Sequence, residues 1–140
     1  MKQIPVIFWT GTGNTQMMAD AIAEAINAVG AEAVVKNISE ITADEAAGYD
    51  ALALGCPAMG AEVLEECEFE PFFTELEGKL AGKKVAIFGS YGWGGSYMQD
   101  WEARVKDAGA TLVADGVLAL GAPADEAMAK LTEAGKLLAE

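Results

Sequence analysis

Five short segments recur along the chain: nearly charge-free apolar runs at residues 4–9, 50–55 and 85–88, an alternating one at 32–38, and a fifth within 111–120. A strand with one wet face alternates apolar and polar residues, whereas a strand covered on both faces reads as a near-continuous apolar run. The segments between these runs carry helical spacing. Strands alternating with helices dictate a parallel sheet with helices on both faces, and right-handed crossovers leave few arrangements. Five βα units in 140 residues predict an α/β three-layer sandwich, with a five-stranded parallel sheet of order 2-1-3-4-5. A chain of this length, with no internal repeat and no linker, is expected to be one domain, residues 1–140.

The helices are placed by their buried faces. Met18, Ile22, Ile26 and Val29 share one face of the first, which Gly30 stops. Phe72, Phe73 and Leu76 mark a second, with Gly82 ending its connection to the run at 85–88, itself bounded by Lys83-Lys84 and Gly89. Trp101, Val105 and Ala108 mark a third, capped by Gly109. The strand within 111–120 is expected to break near Asp115-Gly116, and the last helix to start near Pro123 and bury Met128, Leu131 and Leu138.

In a parallel sheet of this kind ligands sit beyond the carboxyl ends of the strands. Three unusual loops are expected to converge there: residues 10–15, 56–67 and 89–96. In Thr10-Gly11-Thr12-Gly13-Asn14-Thr15 the glycines permit a tight turn and close backbone approach, while the hydroxyls, the amide and the N–H groups of the following helix supply neutral donors to a phosphate. The alternative is a plain glycine turn into a helix. No lysine follows the last glycine, so this is not a Walker loop, and Gln16 stands where a dinucleotide fingerprint needs its third glycine. In the second loop, Glu62 occupies the place where a C-x5-R phosphatase needs its arginine, and Cys56 reads as a small buried residue with no base to activate it. The third loop sets Tyr91 and Trp93 among glycines, where an aromatic ring offers a flat stacking surface; Met59 would form the opposite wall.

Composition removes other classes. The chain has 22 acidic against 9 basic residues and a net charge of −13, a surface that repels nucleic acid and anionic membranes. Acidity of this size serves solubility or docking onto a basic partner. No apolar run approaches the ~20 residues of a membrane helix. With no histidine and no CxxC pair, a zinc site is nearly excluded and a disulfide framework is not expected. No targeting signal is evident, which favours the cytoplasm.

The segments WTGTGNT (9–15), LGCPAMG (54–60), EVLEECEFEPF (62–72) and GKKVAIFGSYGWG (82–94) resemble the short-chain flavodoxins of anaerobic bacteria, over essentially the whole chain. The resemblance implies a flavodoxin-like fold, one non-covalently bound FMN and one-electron transfer between oxidoreductases, working at the low-potential semiquinone/hydroquinone couple. Carried over by position, Thr10, Thr12, Asn14 and Thr15 would bind the FMN phosphate through side chains and loop amides, Gly11 and Gly13 among them, with Trp9 also in the cofactor site. Pro57 would lie near the phosphate, and Ala58, Met59, Gly60, Ala61 and Glu62 would border the ring, with Met59 on its inner face, the Gly60 carbonyl toward N5 and Glu62 accepting from N3–H. Gly89, Ser90, Tyr91 and Gly92 would line its pyrimidine end, and Trp93 would cover its outer face. Pro57 stands where some relatives have serine, Ala61 where relatives often have Asp, Asn, Gly or Ser, and Gly94-Gly95-Ser96-Tyr97 differs from the charged or polar stretch common after the Trp. The expected protein is a monomeric electron carrier, not an enzyme, with Glu62, Glu65, Glu66, Glu68, Glu70, Glu75 and Glu77 as a docking surface for redox partners. An NAD(P)H-dependent FMN quinone reductase on the same fold is the alternative, and a regulatory domain without flavin the third; the net charge repels NADPH and no insertion forms a nicotinamide pocket.

Overall fold

A computed structural model describes residues 3–9, 13–57, 68–91, 96–120 and 125–140. Along the chain run β1 (Gln3–Phe8), α1 (Asn14–Ala28), β2 (Glu32–Asn37), a short 3-10 turn (Ile38–Glu40), α2 (Ala43–Ala47), β3 (Ala51–Gly55), α3 (Phe69–Glu77), β4 (Lys84–Tyr91), α4 (Ser96–Asp107), β5 (Thr111–Leu112), β6 (Val117–Leu120) and α5 (Asp125–Ala139). The strands form one parallel sheet of order β2-β1-β3-β4-β5, with β6 also paired to β4. The fifth strand is thus broken into two pieces along one edge of β4, with Asp115-Gly116 inside the break, as the sequence predicts. Glu102 Oε2 accepts the Gly116 N–H at 2.6 Å across that break, so the interrupted ladder leaves this donor satisfied.

Side chains alternate across the sheet and sort the helices. Ile4, Val6 and Phe8 of β1, Ala51 and Ala53 of β3, and Ala86 and Phe88 of β4 meet Met18, Ile22 and Ile26 of α1 and Leu131 and Leu138 of α5. Ile7, Leu52, Leu54, Val85 and Ile87 point the other way, to Phe69, Phe72, Phe73 and Leu76 of α3 and Tyr97, Trp101 and Val105 of α4. Burying each large apolar side chain contributes roughly 1.5–3 kcal/mol. The α1 and α5 layer lies over a sheet face partly of alanines, and the two helices touch closely: a Cβ at Gly135 would stand 2.8 Å from Ala25 Cβ and 2.9 Å from the Ile22 carbonyl. On the opposite face Trp101 stands edge-on to Phe69 and Phe73, with centroids at 5.4 and 6.0 Å.

Some expectations need correction. Val29 is the C-cap of α1 and 47% exposed, because the helix ends one residue before it and Gly30 (φ 90°) turns the chain away. Met128 is 38% exposed; the buried stripe of α5 instead passes through Ala127, Leu131, Ala134, Gly135 and Leu138. Strand β4 does not stop at Gly89. Its second half pairs with β6, from Phe88↔Val117 to Tyr91↔Leu120, so residues 89–91 belong to the sheet and not to a loop. The helix α2 and the turn before it have no apolar periodicity, but each carries a capping box, Thr42 with Glu45 and Asn37 with Glu40.

Candidate functional site

The carboxyl ends of the parallel strands form one row. Phe8 stands beside Gly55, Gly55 beside Phe88, and Phe88 beside Val117. Past that row the backbones stay bonded: Trp9 N–H donates to the Gly55 carbonyl at 3.0 Å and Cys56 N–H to the Phe88 carbonyl at 3.0 Å. Gly55 is required at its place, since a Cβ would run into the Phe88 ring. The exits from β1, β3 and β4 therefore leave one edge side by side, which brings together the chain flanking all three expected loops.

Of the first loop, Trp9, Gly13, Asn14 and Thr15 are described; Thr10, Gly11 and Thr12 lie outside the described residues. Gly13 is the N-cap of α1 at φ 93°, a left-handed conformation that favours glycine. It accepts the Met17 N–H at 3.0 Å and so starts the helix without a side-chain cap. The first turn of α1 carries no acidic residue. The positive end of the helix dipole is not countered by the helix's own side chains there, the condition under which a helix start attracts an anion. Asn14 is the half-buried first residue of the helix. Thr15 is buried, and its Oγ1 lies 3.4 Å from Ser90 Oγ, on the second half of β4. This hydroxyl pair ties the start of α1 to the third strand exit.

From the second loop only Cys56 and Pro57 are described; Ala58, Met59, Gly60, Ala61 and Glu62 lie outside. Cys56 is fully buried, consistent with a packing residue, and its thiol lies 3.5 Å from the Pro57 carbonyl. Pro57 is half-buried. In the third, Gly89 and Ser90 are buried strand residues, Tyr91 is placed by its backbone in β4, and Gly92 and Trp93 lie outside the described residues.

Three contacts that support this edge carry no pattern detectable by spacing. Trp9 Nε1 donates to Glu68 Oε1 at 3.1 Å, joining the end of β1 to the residue before α3. The buried Tyr97 hydroxyl, one residue into α4, donates to the Cys56 carbonyl at 2.9 Å. Burial pushes the Tyr97 pKa well above its ordinary 10.0, with neighbouring Cys56 adding to the shift, so this donor keeps its proton. Arg104 of α4 grips α3: its Nη1 and Nη2 meet the two oxygens of Glu70 at 2.7 and 2.8 Å, and its Nε reaches Glu77 Oε2 at 3.1 Å. The guanidinium also lies 4.8 Å from the Phe73 ring centroid. Hydrogen bonding to Arg104 holds Glu70 below its ordinary 4.5 against the opposing effect of burial. Being the sole arginine of the chain was the signal that Arg104 offered.

Chemically this edge offers N–H and hydroxyl donors, and no lysine or arginine lies within residues 10–15, 56–67 or 89–96. No group of three or more metal-ligating side chains occurs among the described residues, and none of the helices described is long and apolar enough to cross a membrane.

A flavodoxin family model matches residues 6–135. A flavodoxin of Clostridium beijerinckii is 47% identical over 135 residues, covering 96% of this chain and 97% of that protein. A flavodoxin of Megasphaera elsdenii is 46% identical over 116 residues, 82% of this chain and 85% of its own. The solution structure of the two-electron reduced Megasphaera elsdenii flavodoxin superposes with a TM-score of 0.86 at 42% identity, over 97% of this chain and 98% of that one. Likeness of this extent does not favour the quinone reductase alternative. The chain belongs to the flavodoxin family, and is an FMN-based electron-transfer protein and not an enzyme with a substrate of its own.

Proposed function

We propose that this flavodoxin shuttles single electrons between oxidoreductases at low potential, holding the FMN phosphate at the start of α1 with neutral donors. The observation that carries the reading is the left-handed Gly13 cap, with no acid in the first turn of α1, beside the buried Thr15 and Ser90 hydroxyls. These residues fit a phosphate: the donors are of the right kind, and among the described residues a Cβ at Gly13 would meet nothing within 4 Å. In this reading Thr10, Thr12, Asn14 and Thr15, with the amides of Gly11 and Gly13 and with Trp9 at the strand exit, bind the phosphate. Pro57 lies near the phosphate, Ala58 to Glu62 border the ring, Met59 and Trp93 enclose it, and Gly89 to Gly92 line its pyrimidine end. FMN supplies reversible one-electron chemistry; the protein binds, orients and shields it.

With no cation in these loops, the phosphate charge is left largely uncompensated inside a chain of net charge −13. An electron added to the flavin meets that field, which lowers the potential of the second step most, because that step creates an anion. The chain works as one domain and as a monomer, in the cytoplasm. Its partners present basic patches, which the acidic stretch after the flavin loop meets.

The test is a comparison of ligands on the apoprotein. FMN should bind at least about a hundredfold more tightly than riboflavin, the scale of one or two hydrogen bonds to a charged group, and Thr15→Val should narrow that ratio. Equal affinity for the two would overturn the phosphate assignment.

A further inference from the structure

Two buried hydroxyls face each other where α1 starts beside the sheet. Thr15 is 1% exposed and Ser90 6%, and their oxygens lie 3.4 Å apart. No other serine, threonine, amide or charged side chain among the described residues is buried to that degree. Ser90 shares its sheet face with Ala86 and Phe88, which pack against α1, so its side chain turns toward the helix start. Among the described residues each hydroxyl has the other as its one hydrogen-bond partner. Two hydroxyls hold two protons, and a bond between them uses one. The second proton is left buried without an acceptor among the described residues, which is costly for a donor shielded from water. The separation also exceeds the usual O–H···O length of about 2.7–2.8 Å, so the pair is not locked in either direction.

We propose that Ser90 is a positioning residue for the phosphate: its hydroxyl donates to Thr15 Oγ1, and so turns the Thr15 proton toward the anion. The inference rests on the reading that the FMN phosphate sits at the start of α1. An ionised phosphate accepts and does not donate, which removes the ambiguity of direction. Thr15 is the second residue of α1, in the turn whose N–H groups have no partner inside the helix. With its proton committed to the phosphate, its oxygen is left to accept, and Ser90 is the hydroxyl placed to donate. Each bond in such a chain polarises the next, so Thr15 becomes a stronger donor than it is alone. That gain counts most in a cradle without lysine or arginine. Ser90 thus serves two parts of the cofactor: its backbone borders the ring, and its side chain acts on the phosphate through Thr15.

The test is a double-mutant cycle on the apoprotein, titrated with FMN and with riboflavin. Ser90→Ala should weaken FMN by at least about threefold, the scale of one hydrogen bond, and leave riboflavin unchanged. In a Thr15→Val protein, Ser90→Ala should change the ratio of the two affinities no further, because the acceptor of its hydroxyl is already gone. Ser90→Cys, close in size but a weak donor, should fall between Ser90→Ala and the parent. An unchanged ratio in Ser90→Ala, or an equal loss for both flavins, would make Ser90 a packing or ring-side residue and overturn the proposal. The same loss of FMN with and without the Thr15 hydroxyl would overturn it too, since Ser90 would then touch the phosphate directly. If Thr15→Val itself leaves the ratio unchanged, the phosphate reading fails and takes this proposal with it.

Discussion

At the scale of single residues, the site depends on where a side chain is forbidden as much as on where one is present. Gly13 takes a left-handed angle at the head of α1, and Gly55 and Gly89 leave no room for a Cβ between neighbouring strand exits. The sequence displays such glycines but not their reasons, because a glycine in a turn and a glycine in a crowded strand look alike. The aromatic that the sequence proposes for the ring is Trp93, set in a glycine-rich stretch outside the described residues. Trp93→Ala should weaken FMN binding by roughly 1–3 kcal/mol, the scale of a lost aromatic contact in a partly exposed site, and titration of the apoprotein with FMN checks it. Ala61 carries a separate expectation. If it takes a positive φ only in the one-electron-reduced form, the strain is about 1–2 kcal/mol. Ala61→Gly should then raise the first potential by roughly 40–85 mV, at 59 mV per 1.4 kcal/mol for one electron; potentiometry showing the same or a lower value would exclude that strain.

At the scale of elements, β1, β3 and β4 were legible because a strand buried on both faces carries little charge, β2 by its alternation, and helices because their buried residues recur at helical spacing. Boundaries were less legible where the deciding partner lies far along the chain. Strand β4 continues through Gly89-Ser90-Tyr91 only because β6 pairs with it, and no local signal in GSY announces a strand. The short α2 was missed because five residues form too little of a periodic face; its capping box was the available clue. Contacts such as Tyr97 to Cys56 join residues 41 positions apart, and no spacing encodes them. Two predictions belong here. Gly135→Ala should destabilise by about 1–3 kcal/mol although alanine favours a helix, because overpacking against α1 outweighs a propensity gain of about 1 kcal/mol; thermal melting measures this. The Arg104 clamp gives the second. Glu70 is held below its ordinary 4.5, so its contribution is fully present above that value and is lost as pH falls through the lower folded-state value. The pair is about one-third exposed, which limits it to about 1 kcal/mol. The stability gap between the parent and Glu70→Gln should therefore shrink as pH falls below about 4.5 in paired denaturation curves; a constant gap would contradict the assignment.

At the scale of the molecule, the acidic stretch at 62–77 is not a uniform face. Arg104 pairs with both Glu70 and Glu77, which leaves one net negative charge among the three; Glu68, which accepts from the neutral Trp9 indole, and Glu75 are exposed, and Glu62, Glu65 and Glu66 lie outside the described residues. Among the described acids the docking proposal therefore rests on Glu68 and Glu75, with Glu62, Glu65 and Glu66 added from the sequence. The association rate with a reductase should fall with added salt as the Debye length shortens to ~8 Å at physiological strength, and Glu65→Gln with Glu66→Gln should reduce that dependence in stopped-flow mixing. The central claim is that an acidic chain with an uncharged phosphate cradle makes FMN a carrier of single electrons. A spectroelectrochemical titration of the purified holoprotein tests it most directly. Two resolved one-electron steps, the second lying well below the first, are the result expected; a single two-electron step at one midpoint would contradict the account.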